Sequence, residues 1–402
     1  MKPECPAHGR ARSINEGKTM KKTIAGLLAA ALPALSFGAD LYLDYNGSTP
    51  GFGVNNSGGA LTVDPTAVTW NTDSTGGGGG IISAVSSGDV LHFGLEGTGG
   101  ILFNWQNYGS VSVGGIRTYQ TSGSTASINR MQKPGGGQLQ LNLSSGAVIN
   151  TEKANSFYWD FATSGDFTKT GSQWLILADG GNKINGTATL SQGNLIVRGL
   201  GTLGTSSNVR MEGGQLRFDD NIDDAAGEQY INMGTLGGSG TIIRDGNANG
   251  LNSLTINNMG ADMGNGNATD SINFGWGIAA AFVSGASTSM DISKNGAQIE
   301  QDQFTVDWES RALTLGGDLT VSLTAGSDAL MVGDTFDLFS NTLLGSFDSI
   351  SMPQLHSGLS WDTSDLAAGG TGTITVIPEP ATIGLIGAFG SGLLFIRRRF
   401  MI

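Results

Sequence analysis

One cysteine, Cys5, stands in a chain of 402 residues, in a polar stretch ahead of the first apolar run. No internal disulfide can form, and once that stretch is set aside neither a thiolate metal site nor a cysteine nucleophile remains. Histidine is nearly as scarce: of three, only His92 and His356 lie beyond residue 39. His92 sits in an apolar strand and His356 in a loop after Pro353, with no second histidine close in sequence to share a metal, so both read as structural residues rather than acid or base catalysts. Basic residues are few. From Asp40 to Ile377 there are 12 Lys and Arg against 31 Asp and Glu, a balance of −19 that repels phosphate backbones and argues against nucleic acid as a partner. Long hydrophobic runs occur only near the two ends, so the stretch between them depends on packing and hydrogen bonds.

The first run, Thr23 to Leu35, follows Lys21 and Lys22 and is succeeded by the small residues Ser36, Gly38 and Ala39, the layout of a secretory signal peptide. Residues 1–39 are therefore read as leader, with Met20 as the true start and cleavage after Gly38 or Ala39. The second run closes the sequence. Pro378 and Pro380 fix φ and hold Glu379 extended. Ala381 to Ile396 then gives 16 residues without a charge, which as a helix would measure about 24 Å against roughly 30 Å of bilayer hydrocarbon. Arg397, Arg398 and Arg399 follow at once and predict a C-terminus held on the cytoplasmic side.

Residues 377–402 resemble the PEP-CTERM sorting signal, which has the same three parts in the same order. The resemblance implies processing at Pro378, Glu379 and Pro380 by a membrane protease of the exosortase type, with Arg397, Arg398 and Arg399 setting orientation and 381–396 forming a single transmembrane helix.

Glycine supplies 65 residues, about twice the usual share. Aliphatic residues are nonetheless spread throughout, which predicts many short strands and tight turns. The clearest order runs from Phe167 to Asp220, where Gly171-Ser-Gln-Trp-Leu-Ile-Leu, Gln192-Gly-Asn-Leu-Ile-Val and Gly213-Gly-Gln-Leu-Arg-Phe align. Leu175, Leu195 and Leu216 fall 20 and 21 residues apart, as do Leu177, Val197 and Phe218. Each pair is separated by one residue and faces one side of its strand, and a repeat near 20 residues is what one turn of a β-solenoid requires. Strands around Thr187 to Leu190 and Asn208 to Met211 would supply a second wall. Gly136-Gly-Gln-Leu-Gln-Leu, Val111 to Ile116 and Gly237-Gly-Ser-Gly-Thr-Ile-Ile read as looser copies. The outward position between the two columns is Ile176, Ile196 and Arg217, so part of the outer face is expected to be covered.

Here the chain is similar to proteins with autotransporter-associated β-strand repeats. Phe167-Thr-Lys-Thr-Gly-Ser-Gln-Trp-Leu-Ile-Leu carries the resemblance, with Ala188 to Val197, Val113-Gly-Gly-Ile and Leu236-Gly-Gly-Ser-Gly-Thr. It implies a right-handed parallel β-helix displayed outside the cell and nothing about catalysis. The sorting tail stands where such proteins carry a membrane β-barrel.

The expected fold is thus all-β: a solenoid over 40–298, an antiparallel β cap over 299–376 and the tail. The cap is read from simple alternation at Leu319, Val321 and Leu323 and at Phe336 and Leu338, and it would shield an open sheet edge. Phe157, Tyr158, Trp159 and Phe161 are expected to seal one solenoid end.

Chemistry is thin. Asp219, Asp220, Asp223 and Asp224 cluster, and Asp245-Gly-Asn247-Ala-Asn249-Gly250 matches the first half of a calcium loop, but its twelfth position is Ile256. Both read as solvated acidic turns, and no metal or other cofactor is expected. Arg198, Arg210, Arg217 and Arg244 are scattered without a matching His or Lys, where a polysaccharide-cleaving site needs paired carboxylates with a basic partner. Trp105, Tyr108, Tyr158 and Trp159 could stack on sugar rings. The expected function is a non-enzymatic surface or extracellular-matrix protein, structural or adhesive. Its partners would be the secretion machinery, an exosortase-like protease, and exopolysaccharide or envelope components. A carbohydrate-active β-helix enzyme or polysaccharide-binding module is the alternative.

Overall fold

A computed structural model of the chain describes residues 38–44, 60–63, 69–77, 80–82, 85–95, 101–105, 110–120, 128–132, 139–152, 156–159, 161–177, 184–197, 203, 207–219, 229–232, 235–245, 254–275, 278–282, 284–307 and 312–400. Two compact units divide after Ser36, and all described residues belong to the second. The expected signal segment lies outside them.

Ten strands stack in parallel to make one wall: Ala60–Val63, Ile101–Trp105, Ile128–Gln132, Ser156–Trp159, Trp174–Leu177, Asn194–Val197, Gln215–Asp219, Gly240–Asp245, Ser271–Phe274 and Gln303–Val306. The predicted columns are in register. Leu175 pairs with Leu195 and Leu195 with Leu216, while Leu177, Val197 and Phe218 do the same beside them. All six are buried in one continuous core, each worth roughly 1.5–3 kcal/mol against exposure. Opposite stands a second parallel wall, in which Ile184–Leu190 pairs with Ser207–Met211 and Ser207–Met211 with Thr235–Gly238. Ala188, Leu190, Val209, Met211 and Leu236 point from it into the same core. Strand alternation therefore builds an all-β coil from parallel rungs.

Several expectations are corrected by the register. Leu139–Asn150, which contains the second half of the Gly136 copy, and Ser110–Gln120 belong to the second wall and not to the Leu195 columns. The strand that stacks on Trp174–Leu177 is instead Ser156–Trp159, and it is also paired with Ile128–Gln132, so it lies inside the stack and does not end it. Gly240–Asp245 does continue the columns, with Ile242 on Leu216.

From Gln229 on, each rung gains a strand. Gln229–Asn232, Leu254–Asp262, Ile278–Phe282, Ala312–Leu315 and Thr342–Gly345 form a third parallel run. The stack consequently does not stop at residue 298. Asp318–Leu323 pairs in parallel with Ser287–Asn295 before it and Ser349–Ser351 after it. Leu319 and Val321 face the core as expected, but alternation reports which side a residue faces and not which way its neighbour runs. Among the described residues, antiparallel pairing after residue 299 is found in the hairpin of Ser287–Asn295 with Gln298–Gln301, in a sheet of Thr335–Asp337, Thr373–Pro378 and Leu359–Asp362, and in a single bridge between Ser346 and Ala367.

Both ends of the core are closed by aromatic packing. At the first rung Thr69–Asn71 lies antiparallel on Asp40–Asp44; Trp70 is fully buried and meets Phe93 edge-on at 5.7 Å. At the other end Phe274, Phe304 and Phe339 stack at 6.0 and 5.9 Å, with Phe282 edge-on to Phe304 and Phe339. The closing role expected of Phe157 to Phe161 is filled at this end by these phenylalanines.

A helix, Pro380–Phe400, follows the last strand. Among the described residues no helix is long and apolar enough to cross a membrane. The expected 381–396 segment is helical, but its apolar length ends at Arg397 and is diluted by four glycines, Gly384, Gly387, Gly390 and Gly392.

Candidate functional site

The tail residues are placed by one strand end. Pro378 closes the strand Thr373–Pro378 opposite Leu359. The Glu379 amide donates to Gly358 O at 3.0 Å, its side chain is exposed, and Pro380 opens the helix, where a missing N–H costs nothing. Pro378, Glu379 and Pro380 thus sit together where the chain leaves the sheet. Arg397, Arg398 and Arg399 lie in the last turn, where cations complement the helix dipole, and 17 residues of helical rise put Arg397 roughly 26 Å from Pro380. Phe389, Leu393, Leu394, Phe395 and Ile396 are all exposed on this helix.

On the flank of the second wall, Arg210, Gly237 and Asp262 share one column, beside the hydroxyl and amide column Thr187, Asn208 and Thr235. Gly237 carries no side chain because a Cβ there would run into Asp262 O. The gap it leaves between Arg210 and Asp262 is an open trough of about 120 Å³. That is well below the roughly 300 Å³ at which ligand pockets begin, so it can seat one polar group but not a sugar ring. Arg210 Nε already reaches Glu212 Oε1 at 3.4 Å, and Asp262 accepts from Ser289 Oγ at 3.1 Å. Arg217 lies on the other wall, over the Trp174 ring at 5.6 Å.

Charged groups outside the expected sites are also buried in the coil. Lys169 is fully buried, and its Nζ donates to Thr170 O, Gly171 O and Gln192 O at 3.0, 2.7 and 2.9 Å. Burial pushes its ammonium down to about 7. Gly193 has φ +72, and a Cβ there would meet Gly171 O and the Lys169 ammonium, so glycine is required beside this cage. Period two was the available signal, since Lys169 shares the inward face of Phe167. Farther along, both Asp302 oxygens accept backbone amides, from Asp270 at 3.0 Å and Asp291 at 2.7 Å. Burial raises Asp302 to about 7, helped by the neighbouring carboxylates of Asp270 and Asp291. Those carboxylates are directed elsewhere, to Ser239 and Asn265 for Asp270 and to the Gly266 amide for Asp291. Among the described residues no group of three or more His, Cys, Asp or Glu is disposed to hold a metal ion. Lys294 and Asp334 make a buried ion pair at 2.7 Å.

The histidines are not brought together. His92 lies beside the first rung, half-sandwiched on Tyr42 at 4.3 Å with Nε2 2.7 Å from Asp40 Oδ1, and burial lowers its pKa against the opposing pull of Asp40. His356 is exposed in the loop between Ser349–Ser351 and Leu359–Asp362, beyond all the rungs. The Asp219 to Asp224 cluster, the Asp245 to Gly250 turn, Arg198, Arg244 and the side chains of Trp105, Tyr108, Tyr158 and Trp159 lie outside the described residues and side chains. No family model, no curated protein and no solved structure matches this chain, and its own geometry is the ground for a functional reading.

Proposed function

We propose that the protein is an exported structural or adhesive component of a bacterial cell surface or extracellular matrix, sorted by an exosortase-like protease that reads Pro378, Glu379 and Pro380. The observation that carries this reading is the junction itself. Glu379 is exposed and makes the last backbone tie to the sheet, through Gly358, so a protease would meet it between a folded body and an exposed apolar helix. On this reading the helix enters the inner membrane transiently. A 16-residue uncharged run falls some 6 Å short of the hydrocarbon thickness, a mismatch met by local thinning and by arginine side chains reaching the interface. Orientation follows from Arg397, Arg398 and Arg399.

The test is Glu379→Ala. Export through the N-terminal signal should continue while removal of 381–402 is blocked, as read from the mass of the mature C-terminus. Surface protein from the unaltered chain that still carries Arg397 to Arg399 would make the tail a plain anchor. A polysaccharide-binding role is the second reading, favoured by Trp174, a large aromatic left 39 % exposed on the flank.

A further inference from the structure

We propose that the outward edge of the ten-stranded wall, centred on Trp174, binds a neutral β-linked polysaccharide lying along the stack of rungs. This deepens the adhesive part of the function proposed above and does not depend on how the tail is processed. Trp174 points away from the core occupied by its neighbour Leu175. On successive rungs the same position is held by Asn194, Gln215, Thr241 and Asn273, each paired directly with the next. The face is therefore a straight file of one indole, two amides, a hydroxyl and a third amide, spaced at the roughly 4.8 Å interval between strands.

Two features set this file apart from an ordinary solvated face. Elsewhere in the coil, polar files close on themselves, with Thr235 donating to Asn208 and Asn150 to Thr170; in this file Asn273 is engaged in the same way, accepting from Thr305 and donating to Asp307. The side chains of Asn194, Gln215 and Thr241 make no such bond among the described residues, so their donors and acceptors are presented outward beside the indole. The indole is also held in place. The Arg217 guanidinium, two rungs on, reaches back over its ring at 5.6 Å, which helps to fix the ring before any ligand arrives.

The ligand class follows from these groups. An indole takes the flat C–H face of a hexose whose hydroxyls are equatorial, and such faces are displayed by β-linked chains. An equatorially linked hexose chain advances per sugar by nearly the interval between rungs, so each ring can meet one amide or hydroxyl in turn. A chain of net charge −13 disfavours acidic polysaccharides.

The test is affinity electrophoresis of the full-length protein, in mild detergent, through gels containing xyloglucan, polygalacturonate or soluble starch. Xyloglucan should retard it, and the other two should not. Trp174→Ala should weaken xyloglucan binding about tenfold, Trp174→Phe much less, and the double variant Asn194→Ala/Gln215→Ala several-fold. Absence of retardation by xyloglucan, equal retardation by polygalacturonate, or identical behaviour of all three variants would each overturn the proposal. If Trp174→Ala loses its circular dichroism spectrum, the double variant decides, because its two side chains lie outside the core. None of these outcomes alters C-terminal processing, so failure here and failure of the sorting reading are separately visible.

Discussion

Lys169 and Asp302 carry opposite charges, yet among the described residues neither has an ion-pair partner and each is met mainly by backbone groups. Their consequences for stability run in opposite pH windows. Asp302 titrates near 7 in the fold against an ordinary value of 3.8. The folded state holds more protons between those limits, and stability falls as pH rises from about 4 to 7. Lys169 titrates near 7 against 10.5, so the unfolded state holds more protons above neutrality and stability recovers as pH rises from about 7 to 10. The unaltered protein should accordingly show a shallow minimum of stability near neutral pH in thermal unfolding. Asp302→Asn loses an acceptor for one backbone amide, so it should be less stable than the unaltered chain at pH 5, with the gap narrowing by pH 8; a constant gap would contradict the raised value. Lys169→Met leaves Gly171 O and Gln192 O without their donor, at about 1–3 kcal/mol each. It should lower the unfolding temperature at every pH and erase the rise above pH 7.

At the scale of elements, the decisive test is Leu195→Asp. The carboxylate would enter the column between Leu175 and Leu216 with no partner, at a cost of several kcal/mol, and each rung leans only on its neighbours. Limited proteolysis should therefore open the centre of the chain. Cleavage confined to a terminal segment would mean that these strands do not stack. This column was legible because its rungs are of nearly equal length, so a fixed period and an alternation pattern coincide. Later the separation grows, with Ile272 stacking on Phe304 and Leu319 on Ile350, 32 and 31 residues apart. An inserted strand breaks the period there, and what remains is alternation, which parallel and antiparallel strands share. That is why Asp318–Leu323 read as antiparallel. The flank sites were hidden for a related reason. Trp174 was visible as the start of a repeat copy, but that Asn194, Gln215 and Thr241 line up beside it is a property of register. Lys169 and Asp302 were hidden because composition alone treats a lone charge as solvated.

For the molecule as a whole, the Glu379→Ala variant should be recovered from the inner-membrane fraction, and the unaltered chain from the envelope or medium. Recovery of both in the same fraction would remove the tail from the account of sorting. The ion pair of Lys294 with Asp334 has a mechanical meaning in such a setting. Any pull on the C-terminal helix enters the body at Pro378 and passes through the small sheet of Thr335–Asp337, Leu359–Asp362 and Thr373–Pro378. Asp334, at the edge of that sheet, grips Lys294 in the strand Ser287–Asn295 through two contacts of 2.7 and 2.8 Å. The sheet thus couples the C-terminal helix to the coil, and a load on that helix would reach the rungs through it.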